Sequence, residues 1–234
     1  MMKSSYRRRL APAGAALLVL AGCADAALEP NAMKPDIGSD ADTPIVTTAN
    51  PDGRDPEVRA RAAALDFSGK LRGTLQQAIQ SDGVEAAVDV CKIAAPQIAE
   101  QVMLEHGVRL GRVALPGRNR NPRQAADGWQ LGALQDFQAA VERGGAAAEQ
   151  VMVQRDGLPD GVVLRMIRGI ETETGCLACH GSAVAPSVRE AIARHYPGDA
   201  ATGFEIGDLR GALWVEVLPG AAQDGSDRHR GDAR

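Results

Sequence analysis

Aromatic residues are scarce in this sequence, and positive charge is not in excess. Phe, Trp and Tyr together make up 3% of the chain, so its core cannot rest mainly on packed aromatic rings. The net charge is −4 with acidic and basic residues interspersed, which argues against the basic face that a nucleic-acid partner requires. The 234 residues suffice for one domain with a sizeable core. We therefore predict one folded domain with no nucleic-acid partner.

Cysteine is also rare, and two of the four cysteines lie in one short motif. Cys176, Cys179 and His180 form the C-x-x-C-H spacing that attaches a c-type haem. Two thiols one turn apart can add to the two vinyl groups of haem, and the adjacent imidazole becomes an axial ligand of the iron. The alternatives are a redox C-x-x-C pair and half of a zinc site. The motif lies late in the chain, has no βαβ pattern beside it and lacks a second ligand pair, so we predict one covalent haem c.

The first 22 residues have the organisation of a bacterial signal peptide. Lys3 and residues 7–9 are positively charged, and an apolar run too short to span a bilayer follows. The sequence Leu-Ala-Gly before Cys23 resembles a lipobox, in which the cysteine is lipidated. An ordinary signal peptide with an incidental cysteine is the alternative. Because residue 24 is Ala rather than Asp, we predict attachment through Cys23 to the periplasmic side of the outer membrane.

Composition divides the rest of the chain into three parts. Residues 23–55 comprise the lipidated cysteine and a flexible tether rich in Pro, Asp, Ala, Thr and Asn, with no apolar period. Residues 56–218 form the folded domain. Residues 219–234 are polar and are predicted to be a disordered tail.

Apolar periodicity within the folded part predicts helices first and strands later. A helix begins at Asp55-Pro56, with an N-cap followed by Pro, and residues 81–83 separate it from a second helix over 84–105. The later elements are strands at 108–114, 150–155, 162–172 and 208–218, and helices at 129–143 and 186–195. This order indicates an α+β domain. We place Val58, Ala62, Leu65, Leu71, Leu75 and Ile79 on the buried side of the first helix.

Cys91 is the cysteine that neither the haem motif nor the lipid explains. It lies in an apolar stripe of the second helix formed by Val84, Val88, Cys91, Ala95, Ile98 and Val102. Neighbouring alanines would let a large flat ligand approach the backbone. Pro96 cannot donate to the carbonyl of Lys92, so we predict a kink just after Cys91. Spacing alone leaves two interpretations open, a buried core thiol and a ligand, and the core thiol is the commoner.

Residues 116–123 form a basic, turn-rich loop. Arg120 within it is a candidate partner for a haem propionate, because a guanidinium pairs with a carboxylate through two hydrogen bonds. A solvated turn and a structural arginine network are the alternatives.

Taken together, four segments resemble a known family, that of exported c-type haem domains of unknown function with a PAS-like fold. Some members are sensory input modules of bacterial receptors. The segments are Val90–Ala99, Arg120–Pro122 with Asp127 and Trp129, Cys176–Gly181, and Tyr196–Gly203 leading into Gly207–Ala212. The resemblance implies N-terminal helices packed on a PAS-like antiparallel sheet that carries one covalently bound haem. It also implies His180 as the proximal ligand and Cys91 as the distal ligand of the iron.

Other side chains could in principle bind the distal face of the iron, namely Met103, His106, Met152, Met166 and His195. If the second helix presents Cys91, Met103 and His106 lie about 18–22 Å farther along it and cannot also reach the iron. We interpret Met152 and Met166 as core residues and His195 as the donor or acceptor of a local hydrogen bond.

A thiolate ligand stabilises ferric iron, and reduction weakens its bond to the metal. We therefore predict that Cys91 leaves on reduction, as in a redox or diatomic-gas sensor that signals to a separate partner. The alternative is a small periplasmic electron-transfer cytochrome with a redox partner. An enzyme would need an acid–base residue near Cys91, and its alanine-rich surroundings offer none, so we predict no enzymatic activity.

Overall fold

Four antiparallel strands form the centre of residues 55–219, the part of the chain that the computed structural model describes. They are β1 (Val108–Val113), β2 (Val151–Gln154), β3 (Leu164–Glu171) and β4 (Leu209–Val217), in the order β1-β4-β3-β2. Val215 of β4 pairs with Leu110 of β1 and with Met166 of β3. The predicted α+β class and antiparallel sheet are confirmed. The predicted signal peptide, Cys23 and the tether up to residue 54 lie outside the described residues, as does the tail from residue 220.

In this part of the chain, two helices precede the sheet, three more lie between its strands, and together they cover both of its faces. They are α1 (Pro56–Asp89), α2 (Ala95–His106), α3 (Gly128–Glu142), α4 (Leu177–His180) and α5 (Pro186–His195), with a π-helical turn (Val90–Ala94) between α1 and α2. The side chain of Asp55 caps α1 by accepting from the Glu57 N–H at 2.7 Å. Within residues 55–219, no helix combines the length and the apolar character that crossing a bilayer would need.

Gly83 interrupts α1 where the sequence predicts a break. Its φ of 89° lies outside the helical region, in a conformation that glycine adopts without a steric penalty. The chain continues as a helix on both sides of it. The part of α1 after Gly83 is therefore kinked relative to the part before it, and it leads into the π turn that carries Cys91.

Side chains alternate between the two faces of the sheet. Leu213 and Val215 of β4 face α1 and α2, whereas Ala212 of the same strand faces α3. A third apolar cluster joins α5 to the end of α1 through Val88 and Ile192. The sheet is thus packed between two helical layers, and α5 supports the C-terminal end of α1.

The prediction for the buried side of α1 is wrong at two positions, Val58 and Leu65. Val58 is 55% exposed and Leu65 is 64% exposed, while Phe67 and a stripe of alanines face the sheet. The buried stripe contains Ala60, Ala63, Ala64 and Phe67. Adjacent residues on a helix point about 100° apart, and alanines let the helix axis lie close to the sheet.

Gly169 of β3 marks a place where two backbones come close together. A Cβ atom at this position would overlap the carbonyl oxygen of Ala147. We expect Gly169→Ala to lower the free energy of unfolding by about 1–3 kcal/mol or more, because the strand must move away from that turn. Urea unfolding followed by circular dichroism measures this change.

Gly132 supplies the matched control for Gly169. It lies inside α3, is exposed, and a Cβ atom there would meet no other atom within 4 Å. Gly132→Ala should raise the free energy of unfolding by about 0.5–1 kcal/mol, since alanine loses less backbone entropy in a helix. Equal effects of the two substitutions would show that the approach of Ala147 does not constrain residue 169.

Candidate functional site

The Cys176-x-x-Cys179-His180 motif lies on a short helical segment directly after β3. A 3-10 turn (Thr174–Cys176) leads into α4, and the Cys176 Sγ accepts from the Glu173 N–H at 3.4 Å. The helical spacing brings both thiols and the imidazole to one cavity. The motif thus has the local geometry that the sequence predicts.

That cavity, which we call the cysteine cavity, is lined by Cys91, Cys176, Cys179 and His180. Its walls come from α1, the π turn, all strands except β2, and the loop between β1 and α3. Apolar wall residues include Leu75, Ile79, Ala87, Val88, Val113, Ala114 and Ile170. Two segments far apart in the chain therefore place three thiols and one imidazole around a single apolar space.

His180 is held as a neutral ring in one tautomer. Its Nδ1 lies 2.7 Å from the carbonyl oxygen of Ala201, which can only accept, so Nδ1 carries the proton. Nε2 lies 3.3 Å from Nη2 of Arg210 and is the acceptor there. Burial, with Arg210 and Arg120 nearby, lowers the pKa of His180 to about 2. A neutral imidazole with its Nδ1–H bonded to a carbonyl is the form in which histidine binds a metal through Nε2.

Cys91 lies within the π turn, where a backbone hydrogen bond joins residues five apart in the chain rather than four. The N–H of Ala95 bonds to the carbonyl of Val90, five residues earlier, and Pro96 has no N–H for the carbonyl of Lys92. The predicted kink after Cys91 thus takes the form of a π turn. Cys91 is half-buried, and its thiol is free.

Arg120 is only 6% exposed, and its guanidinium is held by two protein groups. Nε and Nη2 donate to the two carboxylate oxygens of Asp199 at 3.1 and 3.2 Å, and Nη2 also donates to the carbonyl of Cys179 at 2.7 Å. Asp199 in turn accepts from the N–H of Ala201 at 2.9 Å. This chain of contacts ties the loop before α3 to the backbone that orients His180.

Arg210 of β4 points into the same region and has no counterion of its own among residues 55–219. Its Nε is buried and makes no hydrogen bond within residues 55–219, and its guanidinium lies 5.1 Å from the centre of the Phe204 ring. Burial, followed by repulsion from Arg120 and Arg112, lowers the pKa of Arg210 to about 10. An uncompensated buried cation costs free energy unless an anion lies near it.

Residues 33–217 of the chain match the family model described as Tll0287-like: Tll0287. This match covers well over half of the sequence. The chain belongs to the Tll0287-like family. No curated protein gives a match.

A solved structure supports the assignment to the Tll0287-like family. The fold is similar to that of the cyanobacterial heme-protein Tll0287, with a TM-score of 0.50 and 26% sequence identity. The alignment covers 73% of this chain and 97% of that one. That protein is described as a haem protein, so the family resemblance predicted from the four sequence segments is confirmed.

The other candidate iron ligands of this Tll0287-like chain lie elsewhere. None of the five, Met103, His106, Met152, Met166 and His195, lines the cysteine cavity. His106 lies 3.1 Å from a carboxylate oxygen of Asp66, and His195 lies 2.8 Å from one of Asp89. Met166 is fully buried in the sheet core. Cys91 is thus the one sulfur outside the haem motif, among residues 55–219, that lines the cavity.

A second group of possible metal ligands in this Tll0287-like chain lies where the C-terminal end of α2 packs against the first half of α1. Asp66, Glu105 and His106 bring one ligand atom each to within 4.8 Å of one another. Both carboxylates also bind the Lys70 ammonium, at 3.0 and 2.7 Å. The hydrogen bond from Lys70, with a smaller contribution from His106, lowers the pKa of Asp66. Lys70 already supplies the positive charge that this group requires.

Sequence reasoning missed the roles of Asp199 and Arg210. Both lie in segments that carry the family resemblance, Tyr196–Gly203 and Gly207–Ala212, but the residue types alone do not reveal their contacts. Asp199 lies 79 residues from Arg120 in the chain, and Arg210 lies 30 residues from His180. Charged residues brought into a buried site by different elements give no periodic signal.

Proposed function

We propose that this chain is a mono-haem, c-type cytochrome-like lipoprotein that works as a redox or diatomic-gas sensing module. One observation carries the haem part: Cys176, Cys179 and His180 line the same cavity as Cys91, which comes from a different helical segment. Two thiols and an imidazole are the donor set of a c-type haem. The likeness to a protein described as a cyanobacterial heme-protein supports the same cofactor.

The donor set and one unsatisfied polar atom both fit this cofactor. The Nε2 atom of His180 has a lone pair, because the ring proton lies on Nδ1. The buried Nε of Arg210 makes no hydrogen bond within the described residues, and the carboxylates of haem can satisfy such a donor. Bound haem would supply a redox-active iron with two axial positions. His180 would hold it on one side and Cys91 on the other.

Cys91 is suited to reversible ligation because it lies on an irregular helical turn. A π turn holds one residue more than an α turn, and such turns are frequent at functional sites. If the π turn changed into a regular α turn, the helix would shift by one residue, which would rotate the Cys91 side chain by about 100° about the helix axis. Binding and release of Cys91 would then change how α1 and α2 contact the sheet, which is the kind of two-state element that a sensor needs.

The second candidate is a small periplasmic electron-transfer cytochrome, and the outer edge of the site favours it. Gly175 and Ala178 line the cysteine cavity and are exposed. A porphyrin attached through the neighbouring Cys176 and Cys179 would have an edge near solvent, where a redox partner could dock. Fast electron exchange with another cytochrome, with the same axial ligands in both oxidation states, would favour the carrier over the sensor.

We propose no enzymatic activity for this chain. Ala87, Ala94 and Ala95, which lie one helical turn from Cys91 in the chain, carry no group that could transfer a proton to a bound substrate. Peroxide turnover by the purified haem protein at rates well above those of free haem would contradict this proposal.

The distal-ligand proposal is tested by spectra of Cys91→Ala. The full chain would be expressed in a periplasm with haem-maturation machinery, and optical and EPR spectra recorded in both oxidation states. We expect a thiolate-ligated low-spin ferric spectrum, its loss on reduction, and its complete loss in Cys91→Ala, because alanine has no ligand atom. Haem should still be attached in the variant. A ferric spectrum that Cys91→Ala leaves unchanged would exclude Cys91 as a ligand.

Membrane attachment through Cys23 is tested with the same expression system. Wild-type protein should sediment with the outer-membrane fraction, and Cys23→Ser should be recovered in the soluble periplasmic fraction with an unchanged haem spectrum. A single cysteine changes in each case, so Cys23→Ser also serves as the control for Cys91→Ala. Recovery of both proteins in the same fraction would show that no lipid is attached at Cys23.

A further inference from the structure

A second cavity borders the cysteine cavity and is lined by cations. We call it the cationic cavity, and its charged lining consists of Lys92, Arg112, Arg120, Arg123 and Arg210. No aspartate or glutamate of the described residues lines it. The two cavities share Cys91, Arg112, Arg120, Gln124, His180 and Arg210, so they are neighbouring parts of one site. This concentration of like charge indicates an anion-binding site.

Two of the arginines that are not exposed have no carboxylate partner within residues 55–219. Arg210 makes no ion pair within residues 55–219, and its buried Nε has no acceptor. Arg112 of β1 likewise makes no ion pair within that part of the chain, and its guanidinium lies 5.9 Å from the centre of the Phe67 ring. Arg120 differs from both, because its guanidinium already donates to Asp199 and to the carbonyl of Cys179. Lys92 and Arg123 also make no ion pair within that part of the chain, but both are exposed. Arg112 and Arg210 are therefore the half-buried cations with donors to spare.

Arg210 also donates to the lone pair that an iron would need. Nη2 lies 3.3 Å from Nε2 of His180. One lone pair cannot bind a metal and accept this hydrogen bond at once, so iron on His180 would free a second donor of the guanidinium. The side chain would still rest against Phe204.

The two thiols of the haem motif border only one of the cavities, whereas the cations extend across both. Cys176 and Cys179 line the cysteine cavity and are not among the residues that line the cationic cavity. On a haem, the vinyl groups that react with the thiols and the two propionates occupy different edges of the ring. The cationic cavity, with Arg112 and Arg210, would therefore be the part of the site that holds the carboxylates of a haem attached through Cys176 and Cys179.

We propose that the cationic cavity binds the haem propionates, with Arg112 and Arg210 as their direct partners and Arg120 as a positioning residue. This inference rests on the proposed haem function. It moves the propionate contact from the basic loop to two adjacent strands of the sheet. Charge-assisted arginine–carboxylate pairs from a rigid sheet would fix the orientation of the ring as well as neutralise it.

The test compares the reduction potentials of haem-loaded Arg210→Gln, Arg112→Gln and wild-type protein. Removing a cation that pairs with a propionate leaves its negative charge uncompensated, which stabilises ferric iron, so both variants should have lower potentials. Arg210→Lys and Arg112→Lys keep the charge and should retain most of the wild-type reduction potential. If the glutamine variants fail to fold, the lysine variants are measured in their place. Arg109→Gln is the matched control, because Arg109 is 51% exposed and pairs with Glu216, and its potential should stay unchanged.

A crystal structure of the haem-loaded protein decides the contact itself. Carboxylate oxygens within hydrogen-bond distance of both guanidinium groups would support the proposal, whereas propionates that project into solvent would overturn it. Unchanged potentials in both glutamine variants would also overturn it. Adding acetate at constant ionic strength separates the two sources of carboxylate: a shift in the wild-type potential would mean that a free anion occupies the cavity. Wild-type protein that is purified without haem would refute the proposed function itself, and this outcome is distinct from those that overturn only the propionate contacts.

Discussion

Replacing both Cys176 and Cys179 by serine is expected to abolish covalent haem attachment completely. A thioether requires sulfur at each position, and a serine hydroxyl does not add to a vinyl group under the same conditions. Both residues line the cysteine cavity next to His180, so the substitution removes the attachment chemistry and leaves the imidazole in place. The protein would be purified from a periplasm with haem-maturation machinery, denatured and extracted with acidified organic solvent. The polypeptide should then show no haem absorbance and no mass increase equal to that of a haem.

Cys91→Ser is the matched control for the double variant. It removes one thiol from the same cavity, but a thiol that belongs to the π turn rather than to the haem motif. This variant should keep its haem through denaturation and extraction, while its ferric spectrum changes. Haem that resists extraction from the Cys176→Ser/Cys179→Ser protein would contradict the assignment of the motif.

Breaking the buried ion pair between Arg120 and Asp199 is expected to destabilise the domain strongly. Their side chains are 6% and 10% exposed, and removing one partner leaves an uncompensated charge in a medium that solvates it poorly. Arg120→Gln should lower the free energy of unfolding by about 3–5 kcal/mol. For a domain of this size, that loss lowers the melting temperature by about 6–20 °C. Urea and thermal unfolding of the haem-loaded protein measure both quantities.

Arg72→Gln is the control for this experiment. Arg72 pairs with Glu173, close to the same haem motif, but both side chains are more than half exposed. Its loss should change the free energy of unfolding by no more than about 1 kcal/mol. If Arg120→Gln cost no more than Arg72→Gln, the pair with Asp199 would not be a structural element of the site. The double variant Arg120→Gln/Asp199→Asn then tests whether the two residues act as a unit.

The Arg120–Asp199 pair also connects folding to the proposed iron ligand. Asp199 accepts from the N–H of Ala201, whose carbonyl accepts from Nδ1 of His180. Loss of the pair would therefore loosen the group that sets the tautomer of the ring. The structural arginine network, one of the alternatives open from the sequence, describes the contacts of Arg120 in residues 55–219.

Local signals in the sequence were sufficient for the secondary structure. Asp55 followed by Pro56 begins α1, and the predicted helix at 186–195 has the bounds of α5. The first and last residues of each predicted strand lie within two residues of those of the observed strand. These features depend on a cap, a proline or alternation along one segment, and such patterns are complete within a few neighbouring residues.

The prediction of a haem motif belongs to the same category, because Cys176, Cys179 and His180 lie within five residues of the chain and the prediction rests on their spacing alone. The role of Cys91 could not be read from its helix, where a core thiol and a ligand have the same spacing. Folding across the sheet brings it to the cysteine cavity.

Long-range packing decided the features that sequence reasoning missed or placed wrongly. Two apolar stripes run along α1, and periodicity cannot tell which one will face the sheet, so Val58 and Leu65 were assigned to the wrong side. The partner of Arg120 and the lack of an ion pair for Arg210 among residues 55–219 depend on which strands and loops become neighbours. The energy of a buried charge is set by its distance to other charges and to water, and those distances do not exist until the chain has folded.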